Sequence, residues 1–231
     1  MPTKLKIASV PVLRNHSDFH YLQSLLGNVR VAGGYARYVC SPNPEANFEG
    51  DIDIVPRNQE EHDSICKTLR INCGQALSTS PCATTFKSSI CGLIQVLGSK
   101  FFAPEETKIL EDIDFTVCKV SISLTSTDDG FKGIADPEFL KHEKEKKLVV
   151  RHVDNPVGCL RRIMKYTLKG YSVDNEEILK IMDEYAKAPD EKRSFYKDKV
   201  QSIASRVTAL FGASVAESLG TGSEYSMYGS W

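Results

Sequence analysis

The stretch GGYARYVCSPNPEANFEGDIDIVP, residues 33–56, decides how this chain is read. DIDIV (51–55) alternates acidic and aliphatic side chains with the two-residue period of a half-buried strand. Asp51 and Asp53 therefore project from one face, while Ile52 and Ile54 anchor the other in a core. Two carboxylates so close repel each other, and burying them unpaired costs on the order of several kcal/mol. A divalent cation removes that conflict. Magnesium takes oxygen ligands and shares its shell between one or two carboxylates and substrate phosphates. By itself the short DxD pattern fits an ordinary solvent-facing strand better than a metal site. Gly33-Gly34 changes the balance, because it follows a short strand and opens a helix. There the missing side chains let backbone N–H groups and the helix N-terminus approach a phosphate.

Working outward, Phe19, Leu22, Leu25 and Leu26 recur at helical spacing, and Gly27-Asn28 closes that helix. VRVA (29–32) reads as the strand before the glycines, and YARYVC as the helix after them. SPNP (41–44) ends that helix. Residues 59–72 predict another helix through Ile65 and Leu69. Strands are expected at about 83–90, 93–97 and 112–124, where Val, Ile, Phe and Thr concentrate. From Asp136 onward the pattern turns helical, interrupted by KLVVRH (147–152), which reads as a strand. Helices are predicted over 156–170, 176–187 and 191–211, followed by a Gly- and Ser-rich tail. The fold class is thus α+β, a mixed β-sheet with flanking helices followed by a C-terminal helical region. The expected division is a core over 1–152, helices over 153–211 packed on it, and a tail over 212–231.

A second clue is independent of the first. In NPVGCLRRIMKYTLKGYSV (155–173), Arg161, Arg162, Lys165 and Lys169 fall within a helical arc of roughly 100°. Val157, Leu160, Ile163, Met164 and Leu168 are expected on the apolar back. Pro156 fits the first turn and Gly170 the stop. Lysines there can meet phosphates as point charges, and arginines can grip them with two parallel hydrogen bonds. The surroundings reinforce this. Residues 141–170 hold nine Lys/Arg against three Asp/Glu, while the rest of the chain carries 20 against 27. A solvated basic surface accounts for a charge run of this kind too, so the stripe and not the count carries the reading.

Composition sets the remaining bounds. A hydrophobic content of 41% and a charged content of 26% are ordinary for a globular chain of 231 residues. No apolar run reaches the roughly 18 residues that span a bilayer, and no membrane association is expected. The first twenty residues lack the apolar segment of a secretory leader. Seven cysteines without a CxxC pair argue against a zinc ribbon or disulfide framework and for a reducing, cytoplasmic compartment.

Strand, GG-x-x-R, linker, then DxD on the next strand resembles the head of the DNA-polymerase-beta-type nucleotidyltransferase superfamily, nearest to the poly(A) polymerase and tRNA CCA-adding group. The matching residues are Gly33, Gly34, Arg37, Asp51 and Asp53. The basic helix is similar to the one that follows the catalytic head in that group. The resemblance implies a third carboxylate on a later, neighbouring strand. EDIDFTVCKVSI (111–122) offers Asp112 and Asp114, of which Asp114 lies deeper. It further implies that Asp51, Asp53 and Asp114 bind magnesium or manganese. Gly33, Gly34, Arg37, Arg161, Arg162, Lys165 and Lys169 would bind the nucleotide. The implied activity is transfer of a nucleoside monophosphate from a nucleoside triphosphate, ATP among them, to a hydroxyl. The acceptor is a nucleic acid, with RNA favoured, or a protein. A nucleotide- or RNA-binding module with the same fold and no turnover is the alternative. Base preference and oligomeric state are not legible.

Overall fold

A computed structural model describes residues 6–13, 17–43, 48, 50–124 and 131–193. Ten strands lie among the described residues: β1 (Ala8–Pro11), β2 (Arg30–Ala32), β3 (Asp51–Ile54), β4 (Ser78–Thr79), β5 (Ala83–Ser88), β6 (Gly92–Leu97), β7 (Val120–Ser123), β8 (Lys132–Ala135), β9 (Lys147–Leu148) and β10 (Ser172–Val173). The helices are α1 (Ser17–Leu26), α2 (Gly33–Cys40), α3 (Gln59–Cys73), α4 (Glu106–Glu111), α5 (Phe139–Glu145), α6 (Pro156–Leu168) and α7 (Asn175–Lys187). The first eight strands form one sheet in the order β1-β8-β7-β2-β3-β6-β5-β4. Its pairs are antiparallel except β3 with β6. β9 and β10 pair separately, in parallel. The mixed α+β architecture read from the sequence is the one observed.

Local chemistry explains most of the boundaries. Asn58 caps α3 by accepting the Glu61 N–H, Glu60 and Glu61 sit in the first turn, and Gly74 ends the helix at a φ of 85°. Asn155 caps α6 by accepting the Gly158 N–H at 3.0 Å, and Pro156 follows at the first helical position. α6 stops where Gly170 takes a φ of 84°. There the Gly170 N–H bonds the Thr167 carbonyl, and the Tyr171 N–H bonds that of Tyr166.

The sheet divides two apolar clusters. On one side Val31, Ile52, Ile54, Ile94, Val96 and Ile122 meet Phe19 and Leu22 of α1, Tyr35 and Val39 of α2, and Ile65 and Leu69 of α3. On the other side Ala32 and Leu97 meet Ile109 and Leu110 of α4, Ile113, Phe115, Cys159 and Ile163 of α6, and Ile181 of α7. Ile52 and Ile54 thus anchor β3 from the first side, as the alternation predicts.

Three expectations need correction. Residues 112–124 do not form one strand. Glu106–Glu111 is helical, Thr116–Cys118 forms a 3-10 turn, and only Val120–Ser123 is strand. Lys119 imposes part of this by turning its ammonium inward onto the carbonyls of Leu110 and Glu111 at the C-terminal end of α4. The segment 147–152 is strand only at its start, with Val150 adding a bridge to Phe115. On α6 the buried side chains include Cys159 and Tyr166, whereas Leu168, expected on the apolar back, is 71% exposed. The predicted helix over 191–211 and the tail lie almost wholly outside the described residues.

Candidate nucleotide and cation site

β3 brings Asp51 and Asp53 onto the sheet face that looks toward α6. Asp53 is fully buried and Asp51 half-buried. Burial pushes the Asp51 carboxyl above its ordinary range, against Lys165 of α6 and a hydrogen bond from Gln95, which both pull it down. Lys165 is therefore near enough to Asp51 for its charge to be felt. The acidic strand and the basic helix are thus brought near each other at Asp51 and Lys165.

Gln95 is the residue that the sequence reading missed. β6 runs parallel to β3 with Gln95 level with Asp53, so both side chains leave the sheet on the same face. The Gln95 Nε2 donates to Asp51 Oδ2 at 2.6 Å, while its Oε1 is buried and accepts no hydrogen bond. A lone amide in the apolar run GLIQVL was the available signal.

α2 begins directly after β2, beside this pair. Its N-cap is Ala32, which has no side-chain oxygen to satisfy the first N–H groups. Gly33 takes a φ of 69°, a conformation that other residues adopt only with strain. An uncapped helix start next to two carboxylates suits an anion that itself carries cations. Gly33 also lines a cavity of about 460 Å³. Phe101, Phe102, Ile113 and Cys159 give that cavity apolar walls, with Lys100, Lys108, Asp112, Asp114, His152 and Arg162 around them.

Asp114 lies in the cavity wall and not on a strand. It is buried, and both of its carboxylate oxygens are engaged: Oδ1 accepts the Phe115 N–H at 3.0 Å and Oδ2 accepts from Arg162 Nε at 2.5 Å. For Arg162, burial works against the charged form, but the Asp114 carboxylate outweighs it and the shift is upward. Asp112 is exposed at the end of α4. Among the described residues, no three His, Cys, Asp or Glu side chains form a group that could hold a metal ion.

Arg37 departs furthest from its expected place. Its guanidinium is 1% exposed and donates to Glu143 of α5 and to the Tyr171 hydroxyl, each at 2.9 Å. Tyr171 also donates to Glu143 at 2.6 Å, and the rings of Tyr166 and Tyr171 lie near the cation. Arg37 thus ties α2 to α5 and α6 and acts on the site through their placement. The basic segment is likewise partly spent on internal pairs, Lys147 with Asp174 and Arg151 with Asp136. Arg161 is partly buried on α6, and Lys169 caps its C-terminal end.

No family model matches the chain. The fold is nonetheless shared with solved CCA-adding and tRNA-processing enzymes. A tRNA-processing enzyme in an apo form superposes with a TM-score of 0.61 at 15% identity, over 84% of this chain and 54% of that one. The Thermotoga maritima CCA-adding enzyme complexed with tRNA gives 0.55 at 20% identity, over 78% and 46%. A CCA-adding enzyme in complex with CTP gives 0.55 at 16%, over 89% and 63%. By sequence the chain is 27% identical over 162 residues to Gabija anti-defense 2 of Bacillus phage SPbetaL7. That match covers 70% of this chain and 38% of the phage protein, so the chain spans well under half of its relative's length.

Proposed function

We propose that the chain binds a nucleoside triphosphate at the β3–α2–α6 junction and transfers its nucleoside monophosphate to an acceptor hydroxyl, with RNA as the favoured acceptor. The observation that carries this reading is the placement of Asp51 and Asp53 beside the uncapped start of α2, with Lys165 of α6 near enough to act on the Asp51 charge. The shared fold with a CCA-adding enzyme solved with CTP, and with another solved with tRNA, supports the substrate classes.

Two carboxylates on a half-buried face fit magnesium or manganese, and the orphaned Gln95 Oε1 beside them is a further oxygen facing the same space. When bound, such an ion neutralises triphosphate charge and lowers the pKa of an attacking hydroxyl. The chain's own groups do the positioning. The first N–H groups of α2 orient phosphate oxygens, and Lys165 adds positive charge beside Asp51. Arg162 holds Asp114 in the cavity wall, and Phe101 and Phe102 supply apolar surface on which a nucleoside can pack. In the transfer, the acceptor oxygen bonds to the α-phosphorus and the bond to the bridging oxygen breaks. Pyrophosphate leaves with the electron pair, and the hydroxyl proton passes to water.

Incubating the full chain with each labelled triphosphate, magnesium and a panel of RNAs tests this. Product from the wild type that is lost in Asp53→Asn supports it. Equal behaviour of the wild type and Asp51→Asn or Asp53→Asn across the panel overturns it. The second reading, nucleotide binding without turnover, is favoured by one feature: neither strand beside β3 offers a third carboxylate level with Asp53, Gln95 standing there on β6 and Ala32 on β2.

A further inference from the structure

We propose that Gln95 makes this a site for one divalent cation instead of two. The inference rests on the reading of the β3 face as a triphosphate site. β3 has two neighbours in the sheet, and the residues level with Asp53 on them are Ala32 of β2 and Gln95 of β6. Ala32 offers no donor atom. One strand further, level with Ala32, the Ser121 hydroxyl is buried without a hydrogen-bond partner, a neutral oxygen. Asp114 has committed one oxygen to the Phe115 N–H and the other to Arg162. Among the described residues, the carboxylates on this face of β3 are thus Asp51 and Asp53, and Lys165 is close enough to offset part of the Asp51 charge.

Two divalent ions about 3.5–4 Å apart repel each other roughly four times as strongly as two unit charges at that distance. A pair tolerates this when carboxylates between and around the ions supply negative charge. Here Gln95 contributes none. Its Nε2 clamps Asp51 at 2.6 Å, and what it turns toward a cation is a neutral carbonyl oxygen. One ion, held by Asp51, Asp53 and the triphosphate, matches the charge present. The acceptor hydroxyl then shares the single ion with the triphosphate, so transfer is slower than it would be with a second ion beside it. Gln95 is a specificity-determining residue for cation number.

Counting Mn²⁺ on the full chain decides the matter. The protein is saturated with an α,β-methylene analogue of ATP, free Mn²⁺ is read by electron paramagnetic resonance, and thermal unfolding is followed in parallel. The wild type is expected to hold one Mn²⁺ per chain, and Gln95→Glu two. Gln95→Glu should melt below the wild type in chelator and gain more from Mn²⁺. Gln95→Met, which removes the clamp without adding charge, should still hold one ion, with about tenfold weaker affinity. Two ions on the wild type overturn the inference whether or not Gln95→Glu folds. A folded Gln95→Glu that holds only one ion also overturns it. A wild type that melts cooperatively yet takes up neither Mn²⁺ nor the analogue removes instead the triphosphate reading beneath it.

Discussion

The two sides of β3 are built from adjacent residues and do opposite work. Ile52 and Ile54 are buried among aliphatic and aromatic side chains from three helices, and their contribution is burial itself. Asp51 and Asp53, one residue away in each case, stand beside Gln95 on the opposite face, and Asp51 is near enough to Lys165 to feel its charge. That side gives up stability to keep two carboxylates out of water. The same alternation that makes a strand amphipathic thus separates the group that holds the sheet together from the group that meets a ligand.

The contrast can be broken or sharpened in steps. The largest effect is expected at Arg37. Arg37→Met leaves Glu143 buried without its cation and should cost about 3–5 kcal/mol in urea unfolding, the range for a broken buried ion pair. Arg37→Met with Glu143→Leu should recover much of that loss, because the orphaned charge is then gone. Next comes β3. Ile54→Ala should cost about 2–5 kcal/mol, whereas Asp53→Asn should leave the chain at least as stable in chelator, since a buried amide costs less than a buried charge. Equal destabilisation by the two variants would show that the faces do not differ in role. A smaller effect is expected at Lys165. Lys165→Met should weaken binding of an ATP analogue about tenfold by calorimetry, comparable to one charged contact. It should also move the loss of cation binding on acidification to higher pH, because Lys165 opposes the upward push that burial gives Asp51.

The smallest effect concerns pH and lies away from the site. Burial pulls the His142 imidazole below its ordinary value of 6.5, against the raising influence of Glu138, and its Nδ1 lies 2.9 Å from the Thr116 hydroxyl. A histidine whose folded pKa is depressed takes up its proton more readily when unfolded. Stability should therefore fall as pH drops below about 6.5 and should be flat above it. His142→Gln should flatten that slope. An unchanged slope in the variant would place the pH sensitivity elsewhere.

Much of the site could be read in the chain itself, and the parts that could not share one cause. The period of DIDIV, the glycines before α2, and the Asn-Pro start and Gly stop of α6 are local signals, and each element formed as its residues dictate. The family resemblance implies that Arg37 meets the nucleotide. Its direction depends on Glu143 and Tyr171, 106 and 134 positions away, and they draw it into the interior. Composition places Asp114 on a strand, but Lys119 closing the end of α4 and Arg162 arriving from α6 hold it in the irregular segment between α4 and the 3-10 turn.

Sequence alone determined the fold class and the sidedness of β3, because those follow from periods of two and 3.6 residues within single segments. Tertiary structure decided which side chain stands beside Asp53, where Arg37 points and what Asp114 touches. Register between β3 and β6, and the seat of α6 over them, are set by contacts between distant segments. No local pattern encodes such a contact, so Gln95 became part of the site only when the sheet closed around it.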